Sequence, residues 1–140
     1  MGLSQQRMPP NFTVIPLDVV RHEAKKILTP QQLKAAIDHV KLLKFYPDDV
    51  GLDFGPCGDG FELRVDEPII SKQSWLRVGF WVCEKTRSIY IVDVFWKKEN
   101  RISTADRLRI EHRIRKLQQS LGRKSELQKF CLSSAFALAA

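Results

Sequence analysis

The chain has 140 residues, 23 of them Lys or Arg and 16 Asp or Glu, a formal net charge of +7, and 44% apolar side chains. This suits one compact domain with its own core, excludes a disordered or fibrous chain, and leaves no apolar run long enough to cross a bilayer. The start lacks a signal-peptide core, Gln6 breaks the myristoylation pattern, and no CxxC, HExxH or GxxxxGK[ST] spacing occurs, which removes zinc proteases and P-loop enzymes.

Residues 1–11 carry Pro9-Pro10 and no periodicity, and read as a flexible N-terminal arm before a domain over 12–121. Phe12-Thr13-Val14-Ile15 is β-rich and stops at Pro16, a short strand. Leu17, Val20, Ala24, Ile27 and Leu28 then recur at helical spacing. Thr29 is placed to cap a second helix, with Pro30 at its first position and Gln32 closing a capping box. The apolar stripe of that helix is Leu33, Ala36, Ile37, Val40 and Leu43, so the two helices can pack as a hairpin.

Residues 46–60 are rich in turn formers. Three strands are predicted next, over 61–65, 75–82 and 88–96, joined closely enough to be antiparallel neighbours. Ser103 caps a last helix with the stripe Ile110, Ile114, Leu117 and Leu121, and with Asp106 as box partner. Arg109, Arg113 and Lys116 share another face of it, and Arg107, Arg115, Arg123 and Lys124 add basic surface. Residues 122–140 form an apolar, helically spaced tail that suits docking or a homodimer and equally suits a frayed end. The order predicts an α+β fold: a twisted antiparallel sheet with helices on one face and solvent on the other.

Charge is unevenly spread. The excess of basic over acidic residues is 0 over residues 1–60, +1 over 61–100 and +6 over 101–140. A one-sided basic segment suits a polyanionic partner such as nucleic acid, although a solvated helix face gives the same pattern. Cys57, Cys83 and Cys131 are odd in number and far apart, which suggests free thiols in a reducing cytoplasm.

Several segments, in order, resemble the RelE/ParE toxin superfamily, and most of all its HigB-like branch, from about Phe12 to about Leu117. They are the helix end Ala24-Lys25-Lys26-Ile27-Leu28-Thr29, the Gly-rich turn and strand from Gly55 to Arg64, the run from Lys72 through Arg77-Val78, and Phe95-Trp96-Lys97-Lys98-Glu99 leading to Ile102-Ser103. Two positions depart from the family pattern: Ser74-Trp75 stands where a Gly pair is usual, and Phe95 where a Tyr is usual. The resemblance implies a RelE-like toxin of a toxin–antitoxin pair, a metal-independent endoribonuclease that cuts mRNA, typically on the ribosome. It implies no cofactor, a cognate antitoxin as partner, a cytoplasmic location and no membrane.

Metal-free RNA cleavage needs groups to balance charge on the phosphate and to move protons as the 2′-hydroxyl attacks. Arg suits the first task through its two-pronged contact with phosphate oxygens, and Lys suits the second. Arg64, Arg77 and Lys97 are the catalytic candidates, on adjacent strands that can share one open face. Asp93 and Glu99 are acidic candidates beside them. Lys72, Trp96, Lys98, Arg109, Arg113 and Lys116 are the RNA-binding candidates. The plainer alternative for Arg64 and Arg77 is cross-strand pairing with acids such as Glu62 and Glu84. His22, His39 and His112 are scattered over the helices, and the Asp residues at 48, 49, 53 and 59 lack calcium-loop spacing, so neither set suggests a metal. Two rival functions remain at this level: a non-catalytic RNA- or ribosome-binding module, and a ParE-type poison of DNA gyrase.

Overall fold

The computed structural model describes residues 11–47, 52–65, 75–97 and 102–121, with Trp75 described for its backbone only. The arm before Asn11, the candidates Lys72, Lys98 and Glu99, and the tail with its homodimer surface lie outside the described residues. Asn11, grouped with the arm from sequence, belongs to the fold. Its backbone N–H donates to Lys44 O at 2.7 Å, and its Nδ2 donates to Tyr46 O at 3.0 Å.

Strand β1 (Thr13–Pro16) leads through Leu17 into helix α1 (Asp18–Ile27), whose acidic first turn and basic last turn match the helix dipole. Helix α2 (Pro30–Val40) carries the predicted capping box in full. Thr29 Oγ1 accepts from Gln32 N–H at 3.1 Å, and Gln32 Oε1 accepts from Thr29 N–H at 3.0 Å. A 3₁₀ turn (Lys41–Phe45) follows. Strands β2 (Asp53–Cys57), β3 (Gly60–Val65), β4 (Trp75–Cys83) and β5 (Ser88–Lys97) come next, and helix α3 (Thr104–Ser120) closes the described chain. Ser103 caps α3 as expected, accepting from Asp106 N–H at 3.1 Å. The Asp106 carboxylate, however, meets the Ser103 hydroxyl at 2.8 Å, so this cap is not the reciprocal box.

The fold is α+β, and three features of the sheet correct the sequence reading. The sheet has five strands in the order β1-β5-β4-β3-β2. It is mixed: β1 runs parallel to β5, with Thr13 opposite Ser88 and Pro16 opposite Ile91, because α1 and α2 return the chain to the far side before the antiparallel strands begin. Residues 53–57, read as turn, form the edge strand β2 against β3. Gly55 and Pro56 tolerate an edge position, where an N–H is not needed on the outer side.

The third correction concerns the layers. Val78 and Val94 line the space under α1 and α2, together with Leu28, Leu33 and Val40. Their sequence neighbours Gly79 and Asp93 point the other way, and a Cβ on Gly79 would meet Ile110 of α3 at 3.0 Å. The sheet is therefore a middle layer, with the helical hairpin on one face and α3 on the other. This explains why β5 is buried at every position from Ser88 to Phe95 rather than at alternate ones. The face expected to meet solvent is instead covered by Ile110, Ile114 and Leu117, all fully buried. On the hairpin face, Tyr46, Phe54, Phe61 and Phe80 form an aromatic cluster with ring centroids 5.2–6.4 Å apart.

The register slips between β4 and β5. Gly79 faces Asp93 while Phe80 faces Ile91, so Val92 is an extra residue, a β-bulge. Because β1 pairing stops at Ile91, the Val92 carbonyl stands where β1 no longer covers the edge of β5. No described helix is long and apolar enough to cross a membrane.

Candidate functional site

On the α3 face, strand alternation and register bring together Glu62 and Arg64 of β3, Arg77 of β4 and Lys97 of β5. Arg64 is directly opposite Arg77, and Glu62 is opposite Gly79. The Glu62 carboxylate joins the other strands: its Oε1 accepts from Arg77 Nε at 2.8 Å and from Lys97 Nζ at 2.9 Å. These three side chains are only 9%, 12% and 14% exposed for Arg77, Lys97 and Glu62. Arg64 is more open and lies 3.5 Å from the exposed Asp53 carboxylate of the edge strand. The three catalytic candidates thus share one face. The cross-strand pairing offered as the plainer alternative is present as well, in the Arg77–Glu62 bond, whereas Glu84 pairs with Arg87 at 2.9 Å.

A second charged cluster fastens α3 to the sheet. Asp93 has no solvent exposure. Arg109 grips it with two nitrogens, Nε at 3.1 Å and Nη2 at 2.8 Å from Oδ2, and also bonds Asp106. Arg113 donates from Nη1 to the bulged Val92 carbonyl at 2.9 Å and to Asp93 Oδ1 at 3.3 Å. It also forms a two-pronged pair with Glu23 of α1 at 3.0 and 2.7 Å. Burial pushes the Asp93 carboxyl up from its ordinary range, and the two guanidiniums offset part of that. Burial opposes the Arg109 charge, yet its bonds to Asp93 and Asp106 outweigh this and hold its pKa above the ordinary value.

Several RNA-binding candidates separate accordingly. Arg109 and Arg113, read from sequence as one basic face with Lys116, are turned toward Asp93 and Glu23, while Lys116 is exposed with Arg107 and Arg115. Trp96 lies on the hairpin face, opposite to Lys97, where its indole N–H donates to Ile27 O at the end of α1 at 3.3 Å. The acidic candidate Asp93 belongs to the structural cluster rather than to the Arg77–Lys97 group. Sequence reasoning gave Glu62 only a pairing role and did not single out Glu23. The signal for Glu62 was its position two residues before Arg64, which puts both on one face of a strand. Nothing in the sequence announced Glu23, whose contact spans 90 positions.

Cys57 lies near the cluster: burial raises its thiol pKa, the Glu62 and Glu111 carboxylates raise it further, and Arg107 and Lys97 offset part. The adjoining Gly58 has φ +58°, a left-handed turn that leaves room for Glu111. On the hairpin face, an apolar cavity of about 220 Å³ lies between α1, α2 and the sheet, with Arg21 and Lys25 at its rim. Among the described residues, no group of three or more His, Cys, Asp or Glu side chains is placed to hold a metal ion. Comparison of the chain with protein-family models, with curated proteins and with solved structures finds no match in any of the three.

Proposed function

We propose that this protein is a RelE-like toxin of a toxin–antitoxin pair, a metal-independent endoribonuclease acting on mRNA in the cytoplasm, on the ribosome. The observation that carries the reading is the meeting of Arg64, Arg77 and Lys97, from three adjacent strands, on one face of the sheet. The strand–helix–helix–strands–helix order supports it, as the segment resemblance does. Arg64 and Arg77 face each other across β3 and β4, as two cations sharing one phosphate would. They balance the charge that grows on the phosphate oxygens as the 2′-hydroxyl attacks; solvent water takes the hydroxyl proton, and Lys97 gives a proton to the leaving oxygen as its bond to phosphorus breaks. The exposed α3 cations, Arg107, Arg115 and Lys116, hold the flanking RNA backbone.

The test is cleavage of a defined mRNA in EDTA, with and without ribosomes. Replacing Arg64, Arg77 or Lys97 with Ala is expected to slow cleavage on the order of a hundredfold, with a far smaller change in RNA affinity. Arg77→Lys is expected to be impaired too, since Lys cannot make the two-pronged contact. Expression of the chain alone should arrest growth, and the neighbouring antitoxin gene should restore it. Wild-type cleavage rates in all three Ala variants would refute the assignment of the site. A second reading, a non-catalytic RNA- or ribosome-binding module, is favoured by the tie of both Arg77 and Lys97 to Glu62. Binding without cleavage in either condition selects it.

A further inference from the structure

We propose that Glu62 is an internal counter-anion standing in the phosphate position of this site, so that RNA enters by exchanging one of its phosphates for the Glu62 carboxylate. This rests on the reading of the face as an RNA site and adds how that site is held when empty.

Three observations lead to it. First, a single atom, Glu62 Oε1, is the shared acceptor for Arg77 Nε at 2.8 Å and Lys97 Nζ at 2.9 Å. A phosphate oxygen offers these donors the same charge and the same lone pairs, so the carboxylate and a phosphodiester compete for one position. Second, the two cations are drawn close by that one atom while shielded from solvent. Shielded like charges at this spacing repel each other, so the site needs an anion, its own or a guest. Third, shielding falls off in one direction. Arg77, Lys97 and Glu62 are 9–14% exposed, Arg64 is 28% exposed, and Asp53 at the sheet edge is 72% exposed. A guest anion therefore arrives past the longer, more solvated Arg64–Asp53 pair, engages Arg64, and then takes the place of Glu62. The residue directly opposite Glu62 is Gly79, which has no side chain, so apart from Arg77 and Lys97 themselves no directly opposed side chain fills the space beside its carboxylate.

Exchange of this kind discriminates between anions. A small free anion gains little by displacing a carboxylate that is already in place. A polyanion, held at the same time by the α3 cations, brings its phosphate to the site at high local concentration.

The experiment uses the full chain as wild type, Glu62→Gln, Glu62→Asp, and Glu62→Gln combined with Lys97→Ala. The first probe is inorganic phosphate, against chloride at matched ionic strength, read by the thermal unfolding midpoint. In chloride, E62Q is expected to melt below wild type. Phosphate is expected to raise the E62Q midpoint by several degrees more than it raises that of wild type, and the added K97A change should remove most of this gain. Glu62→Asp retracts the carboxylate by one methylene and should fall between wild type and E62Q, which decides the matter should E62Q fail to fold. The second probe is a single-stranded RNA oligonucleotide. At about 100 mM salt, E62Q should bind it on the order of tenfold more tightly than wild type, with the log affinity–log salt slope steeper by about 0.7, the increment for one phosphate charge. Equal phosphate gains and equal slopes in wild type and variants overturn the proposal. If wild-type RNA cleavage nevertheless depends on Arg77, the functional reading survives that failure. A phosphate gain confined to the Glu62 variants, with no RNA binding by any form, leaves the counter-anion standing and removes the RNA reading instead.

Discussion

Asp93 and Arg113 show how much single side chains carry here. Arg113 holds the open Val92 carbonyl, the buried Asp93 carboxylate and Glu23, and so ties α3, the edge of β5 and α1 at one point. Removing it leaves a carboxylate buried with one partner fewer and a second carboxylate unpaired. Arg113→Met is expected to cost about 3–5 kcal/mol in denaturant unfolding, whereas Lys116→Ala, at an exposed site, should stay within about 0.5 kcal/mol. Asp93 gives a prediction with a definite sign. Burial raises its native pKa above the ordinary 3.8, so the folded protein holds that proton more readily than the unfolded chain. Its contribution is therefore fully present below the ordinary Asp range and declines as pH rises through the native pKa. The stability advantage of wild type over Asp93→Asn should shrink as pH rises upward from 3.8 in a pH series of urea unfolding curves. A growing advantage would mean that the two guanidiniums, not burial, set the pKa.

Elements meet through glycines and caps. A Cβ on Gly60 would stand 2.6 Å from the Phe80 carbonyl oxygen and 2.7 Å from Ile114 Cδ1. The first of these atoms is backbone in a neighbouring strand and cannot step aside. On Gly79 the Cβ would meet the end of the Ile110 side chain at 3.0 Å, which can shift by a few tenths of an ångström. Gly60→Ala is expected to cost about 1–3 kcal/mol, and Gly79→Ala clearly less. The measurement is the denaturant midpoint at constant slope. On the other face, Thr29→Ala removes the cap of α2 for about 1 kcal/mol. That loss should leave any RNA affinity unchanged, since α2 packs on the face opposite to Arg77.

Across the whole molecule, charge is sorted by layer. Among the described residues, the basic side chains of the last third do not lie on one surface: Arg109 and Arg113 are turned inward to the sheet, while Arg107, Arg115 and Lys116 are exposed. Replacing those three with Ala should lower the salt dependence of single-stranded RNA binding by about 2 in the log–log slope, without moving the melting midpoint. Changing Arg109 and Arg113 instead should lower the midpoint first, and any loss of binding should follow the loss of fold. Filter binding and thermal unfolding of the same variants separate the two behaviours.

Local chemistry was legible in the sequence. The capping box at Thr29, the Ser103 cap, the buried stripe of α3 and the alternation that places Glu62 with Arg64 are all short-range patterns, set by dihedral preference and by periods of 3.6 and 2. Strand β2 was missed because Gly55 and Pro56 read as turn residues, and an edge strand needs only one partner. The sequence could not say that β1 lies parallel to β5, that α3 covers the second face, or that Val92 bulges. Those depend on which strand edge a segment finds, and pairing between distant segments leaves no local period. The same reason separates the cations. Arg77 and Arg109 are alike as residues, yet cross-strand register sets one against Glu62, and helix packing sets the other against Asp93.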